Sequence, residues 1–307
     1  MTPKKVKEGE STERSRDWPG PPQGSREIGL GRIWSQLRSD RYGMCGLLLV
    51  TVFLLVALSV WTGLLGQGWS EASGNRWESA SSRHWFGTNM LGQDILQRTL
   101  FGTATAFEVG LIVTFFSTVL GTIMGALAGW YSHSWLDEVI LWFKGVLDSI
   151  PFYLFAAALA FALQGNPWAM HLAMIITFWT TTARIVRGEV MRIKQREFIE
   201  AARAIGLPAL TIIFRHVIPN TFHILLVQAS IVFVAAINTE VILSFLGLGI
   251  QDGVSWGLML AESSHEVLAG HFGNFIAAGT SLFVLLMGFN LLADALQDAL
   301  DTRRATT

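Results

Sequence analysis

The stretch from Arg196 to Asn220, REFIEAARAIGLPALTIIFRHVIPN, is polar and basic, while the sequence on both sides of it is strongly apolar. Phe198 to Ile205 is rich in alanine and predicts a short helix. Gly206 follows, and glycine ends helices in a left-handed turn at low cost. Pro208 suits the first turn of a second helix, and Pro219 is expected to close it. The predicted unit is a helix–turn–helix on one side of a membrane. Ala201 and Ala202 give it a face without bulk that could enter a groove on another protein. The plainer alternative is a solvated hairpin with an ordinary glycine cap.

Outward from this stretch the chain is too apolar for an ordinary soluble domain: 307 residues, 51% hydrophobic and 15% charged. A membrane helix needs about 20 apolar residues. Six segments qualify: Met44–Leu65, Ala104–Trp130, Val139–Leu163, Trp168–Val186, Phe222–Phe245 and Gly270–Leu292. The expected fold class is therefore all-α, with six transmembrane helices. Residues 1–30 read as a polar, disordered tail. Residues 31–103 hold the first span and a long loop, 104–293 the core with the 196–220 loop, and 294–307 a C-terminal tail. The first apolar run is too long for a signal peptide. Cys45, the single cysteine, reads as an inert buried thiol.

The 22 Lys and Arg residues orient the chain. Lys4, Lys5, Lys7, Arg14, Arg16, Arg26, Arg32, Arg38 and Arg41 precede the first span. Arg184, Arg187, Arg192, Lys194, Arg196, Arg203 and Arg215 flank or occupy the 196–220 loop, and Arg303 and Arg304 follow the last span. Only Arg76, Arg83 and Arg98 lie in the first long loop, and Lys144 lies within a span. Both termini and the 196–220 loop are thus expected on the cytoplasmic side of the membrane. The net charge of −1 gives no indication of nucleic-acid binding.

Several residues inside the spans invite a role. Gly121, Gly125 and Gly129 share one helix face, and small residues let membrane helices approach closely. Lys144 and Asp148 are four apart and can pair. They read either as a neutralised structural pair or as a pathway-lining or gating element, and Pro151 just beyond them predicts a kink. Glu240, with Asn238 nearby, is either an acid on a substrate pathway or one hydrogen-bonded within the bundle. Glu108 is expected near an interface, as are Trp69, Trp77, Trp85 and Phe86 in the first loop.

Five motifs in order then resemble one family. Glu200-Ala201-Ala202, Gly206 and Ile218-Pro219 are similar to the EAA loop of bacterial ABC importer permeases. His84 to Leu96 (HWFGTNMLGQDIL) resembles a motif of peptide permeases that usually reads GTD..GRD, with Asn89 and Gln93 replacing its acid and base. FWTTTARIVRGE (178–189), SFLGLG (244–249) with Trp256-Gly257, and the spaced acids of NLLADALQDALD (290–301) resemble it too, although Ala293 and Gln297 depart from its usual glycine and arginine.

The chain is identified on these motifs as a member of the dipeptide/oligopeptide/nickel ABC permease family, which implies the type I importer (MetI-like) fold. The resemblance further implies a second homologous permease, two cytoplasmic ATPases that bind ATP and Mg, and an external substrate-binding protein. This chain would bind no cofactor or metal and catalyse no reaction. Glu200, Ala201, Ala202, Gly206 and Pro219 would couple it to the ATPases. Peptides are the implied cargo, with nickel, another small solute or antimicrobial peptides as alternatives.

No lysine follows a glycine, so the chain lacks a P-loop of its own. Gly253-Val254-Ser255-Trp256-Gly257 matches a hydrolase motif in letters only, in a loop and not at a strand–helix elbow. His265-Glu266 begins like a zinc-protease motif, but the next histidine falls too late. Two competing readings remain: a stand-alone ion-coupled transporter using Glu240, Glu108 or Lys144–Asp148, for which no inverted repeat is evident, and a membrane hydrolase using Ser255.

Overall fold

The structure is a computed structural model and describes residues 30–250 and 253–300; the 1–29 part of the expected tail, and residues 301–307, lie outside it. The described residues form eleven α-helices and no strands. α1 spans Leu30–Ser39, α2 Arg41–Trp61, α3 Ile95–Trp130, α4 Trp135–Asp148, α5 Phe152–Ala162 and α6 Ala169–Ile193. α7 spans Glu197–Ala204, α8 Ala209–Ile212, α9 Phe222–Phe245, α10 Trp256–Leu268 and α11 Gly273–Leu300. Five rods are long and apolar enough to cross a membrane, and six if α4 and α5 count as one broken span.

The centre of the bundle is α3 against α6. A Cβ on Gly121 would stand 2.6 Å from the Trp179 carbonyl oxygen, one on Gly125 2.5 Å from that of Ala183, and one on Gly129 2.7 Å from that of Arg187. The three glycines thus let α6 lie on bare backbone of α3 over two helical turns. α9 packs on the other side of α3, where Phe107, Phe233 and Phe289 make a ring cluster with centroids 4.2–6.1 Å apart. α2 lies on α11 through its buried Gly43 and Gly46. That geometry corrects the reading of Cys45: the buried face of α2 carries the two glycines, so Cys45 between them points outward and is exposed.

The third expected span is not one rod. α4 and α5 meet at 91°. Pro151 has no N–H to give the Leu147 carbonyl, which instead takes the Ile150 N–H at 3.4 Å as the helix ends. Two helices were not expected. α1 precedes the first span, and α10 fills most of what the sequence reads as a loop after the fifth. Ser255 begins α10 by accepting the Leu258 N–H at 3.2 Å, a standard N-cap. At the other end of the chain, α11 continues through Leu300, so the first part of the expected C-terminal tail is helix.

Candidate functional site

Two regions bring the singled-out residues together: the α7–α8 turn and a cavity beside the α4/α5 break.

α7 ends as its sequence predicts. Gly206 has φ +81°. Its N–H bonds the Arg203 carbonyl at 2.9 Å, and Leu207 N–H bonds that of Ala202 at 3.2 Å. This is the paired-bond Schellman end that a left-handed glycine allows. α8 starts just after Pro208. Pro219, however, does not close the second helix. The ring removes the N–H that would bond the Arg215 carbonyl, and the chain passes this point by widening to a π turn over Ile213–Val217 and tightening to a 3-10 turn over Ile218–Thr221. It then runs straight into α9, so Ala209–Phe245 is one 37-residue rod.

The two alanines part company. Ala202 is buried with Ile199, Ile212, Ile213 and Val217 against Trp130, Val186 and Val190 at the ends of α3 and α6. Each of the isoleucine and valine side chains here contributes about 1.5–3 kcal/mol when fully buried, and the Ala202 methyl about 0.8, so α7 is tied to the bundle. Glu200 and Ala201 are exposed. Beside them stand Ile205, 76% exposed at the tip of the turn, and the exposed Phe198, Leu210 and Phe214. These exposed apolar side chains lie on either side of Gly206.

Polar contacts fix the base of this element. The Lys194 ammonium donates to the Trp130 carbonyl at 2.5 Å, and the Arg203 guanidinium lies 4.6 Å from the centre of the Trp130 ring. Burial, with the Arg203 charge second, holds Lys194 below the ordinary lysine value. Arg187 of α6 grips the buried Asp137 of α4 with two bonds of 2.8 Å, and Asp137 also accepts the His133 N–H at 3.0 Å. None of these long-range pairs leaves a local sequence signal.

The cavity is about 630 Å³ and is lined by Lys144, Asp148, Pro151, Thr177, Thr181 and Arg184 among others. Lys144 and Asp148 pair across one turn of α4. Glu240 is elsewhere. It is 1% exposed, accepts the Ser244 hydroxyl at 2.5 Å and is hydrogen-bonded by Ser255. Its neighbour Thr239 lines the cavity, and Asn238 is half-buried on α9. Glu108 is exposed on α3.

The far end carries the long loop. Asn89 is fully buried. Its side-chain Oδ1 accepts the Leu91 and Gln93 N–H groups at 2.9 Å each, and its side-chain Nδ2 donates to the Gln93 Oε1 at 2.9 Å. Two amides thus hold the turn where the family has an acid and a base. Asp94 caps α3 through Gln97 N–H and takes the His84 ring N–H at 2.8 Å. Glu266 of α10 accepts the Met90 N–H at 2.7 Å, and Arg98 bonds Glu262 at 2.7 Å. Burial, then the Glu262 charge, pushes the Glu266 carboxyl above its ordinary value, against the lowering pull of Met90. Trp69 packs on Phe101 with its ring tilted by 37° and Trp77 stacks on His271, while Trp85 and Phe86 are exposed. Among the described residues, no three His, Cys, Asp or Glu side chains converge.

Residues 117–306 match the model of the binding-protein-dependent transport system inner membrane component family. The dipeptide transport system permease protein DppC of Bacillus subtilis is 32% identical over 275 residues, 88% of this chain and 84% of that protein. The oligopeptide transport system permease protein OppC of Haemophilus influenzae is 36% identical over 219 residues, 71% of this chain and 70% of that protein. Among solved structures, the MetNI methionine ABC transporter in inward-facing conformations has a similar fold, with TM-score 0.54 and 19% identity over 69% of this chain and 96% of that one. A model covering most of the bundle and relatives aligned along most of their own length agree: this chain is a multi-pass membrane protein and belongs to the binding-protein-dependent transport system inner membrane component family.

Proposed function

We propose that this chain is one of two permease subunits in an ATP-driven importer of di- and oligopeptides, and that the α7–α8 turn is its contact with cytoplasmic ATPases. The observation that carries the coupling claim is the two-sidedness of this turn. Its inner face, Ile199 and Ala202, belongs to the core at the ends of α3 and α6. Its outer face, with Ala201 and Ile205, is bare. A partner pressing on the outer face therefore moves α3 and α6 directly. The names of the relatives supply the cargo class.

In this reading ATP and Mg are held by two partner ATPases, and this chain performs no covalent chemistry. Closure of the ATPases shifts α7, the central helices rock, and the cavity beside the α4/α5 break opens to one side and then the other. A second, homologous permease completes the pathway. An external binding protein delivers cargo at the long-loop end. Both termini are cytoplasmic, as the Lys and Arg distribution implies, and the bacterial inner (plasma) membrane is the location that the family description and the bacterial relatives support.

The test is uptake of labelled trialanine into proteoliposomes holding the whole complex, with binding protein outside and ATP inside. Uptake should require both, and Gly206→Asp should abolish it while the complex remains folded. Uptake driven by an ion gradient without ATP would instead identify a secondary transporter.

A further inference from the structure

The cavity beside the helix break carries three charges that do not cancel. Lys144 and Asp148 satisfy each other. Arg184 of α6 lines the same cavity and is exposed. Among the described residues it has no ion pair or hydrogen bond. The other two α6 arginines differ: Arg187 is held by Asp137 and Arg192 by Glu189.

The position of Arg184 sharpens the point. α6 is long and apolar enough to cross a membrane. Arg184 lies ~13 Å before its end at Ile193, at about 1.5 Å per residue. Arg184 thus stands two residues before the end of the span expected at Val186, on its cytoplasmic side, and lines the cavity there. The neighbouring hydroxyls do not supply an anion for it. Thr177 donates back to the Ala173 carbonyl at 2.6 Å and Thr180 to that of Thr177 at 3.2 Å. Among the described residues, the charged donors lining this space that remain unpaired are those of Arg184 and the two ammonium protons that Lys144 does not give to Asp148; the Thr181 and Tyr153 hydroxyls add neutral donors.

We infer that this cavity is an anion-selecting station on the pathway and that Arg184 receives a carboxylate of the passing cargo. A planar guanidinium matches a carboxylate with two parallel N–H···O bonds. The Lys144–Asp148 pair gives the station its second pole. An arriving carboxylate competes with Asp148 for Lys144, and the acid so released can meet a cargo ammonium group. A peptide with free termini presents both groups. The volume of about 630 Å³ lies within the ~300–1,000 Å³ of small-molecule sites. This inference rests on the peptide reading for the identity of the cargo, but not for the sign of the charge selected.

Two assays on the whole complex separate those dependencies. The first compares uptake of trialanine and trialanine amide by wild type, Arg184→Gln and Arg184→Lys. Arg184→Gln should lower trialanine uptake about tenfold, the lower end of electrostatic focusing by a charged cleft. It should leave the amide unchanged, and Arg184→Lys should recover part of the loss. Equal loss for both peptides, or no loss for either, would overturn the assignment.

The second assay needs no cargo. In a Cys45→Ser background, Thr181→Cys is modified with an anionic or a cationic methanethiosulfonate. The anionic reagent should react about tenfold faster relative to its rate on free thiol, and Arg184→Gln should erase that preference. If wild type takes up neither peptide, the peptide reading fails while this ratio still decides the station. No anionic preference in wild type overturns it.

Discussion

A methyl group at position 125 has no room. Its carbon would stand 2.5 Å from the Ala183 carbonyl oxygen, which belongs to backbone and cannot swing aside. Gly125→Ala is therefore expected to destabilise by about 1–3 kcal/mol, the usual range for overpacking. Gly188→Ala on α6 meets nothing within 4 Å and should be neutral or better, since alanine is the stronger helix former. Thermal unfolding of the two variants in detergent checks this, and equal midpoints would refute close helix contact at Gly125. Glu266 offers a pH test. Its carboxyl is raised in the folded protein, chiefly by burial, so the folded state binds its proton more tightly than the unfolded state does. Its contribution is present at pH below the unfolded value and is lost as pH rises through the folded one. Glu266→Gln should flatten that pH dependence of the unfolding midpoint and keep the Met90 bond; an unchanged slope would assign the dependence to other groups. The glycine spacing was legible in the sequence because helical periodicity displays it. The role of Glu266 was not, since its partner Met90 lies in another part of the chain and the letters His265-Glu266 suggested only half of a metal motif. The exposure of Cys45 was hidden for a related reason: an apolar span does not say which of its faces is covered.

At the scale of elements, the α7–Gly206–α8 turn was the most readable part of the molecule. Local rules for helix ends decide it, and the two bonds at Gly206 and Leu207 obey them. What followed was less readable. A proline usually marks an end, yet Pro219 sits in a 3-10 turn that joins two helical stretches. The 91° bend at Pro151 exceeds what a proline alone dictates, because the packing of α5 against α6 sets its direction. α10 is hard to read from sequence because Ser255, the residue that caps it, sits in letters that match a hydrolase motif. The turn itself yields a graded prediction. Gly206 has φ +81° and open space around it, so a side chain there costs conformational energy alone, about 1–2 kcal/mol. Gly206→Ala should leave the bundle folded and reduce ATP-driven uptake. Gly206→Asn, which tolerates the left-handed region better, should reduce it less. If both variants take up peptide at the wild-type rate, the shape of this turn does not matter for coupling.

At the scale of the whole molecule, the bundle links three places: the long-loop end, the cavity at the α4/α5 break, and the α7 turn. α3 runs from the long-loop end to Trp130 under the turn, and α6 lies against it along the three glycines. The Asp137–Arg187 pair ties α4, and with it the wall of the cavity, to the same α6. Arg187→Met would leave Asp137 buried and unpaired, at about 3–5 kcal/mol. Restoring apolar complementarity with Asp137→Leu as well should recover much of that loss in thermal unfolding, whereas a double variant no more stable than the single one would argue against the pair as the tie.

The central claim is that partners act on this chain through the exposed face of the α7 turn. The most direct measurement is copurification of the detergent-solubilised chain, tagged at its C-terminus, from its own host, comparing wild type with Ile205→Asp. Position 205 is 76% exposed, so the charge should leave the fold intact. Wild type should bring down an ATPase and a second permease, and Ile205→Asp should keep the permease and lose the ATPase. An ATPase retained in equal amount by the variant, or absent from a well-folded wild type, would contradict the account.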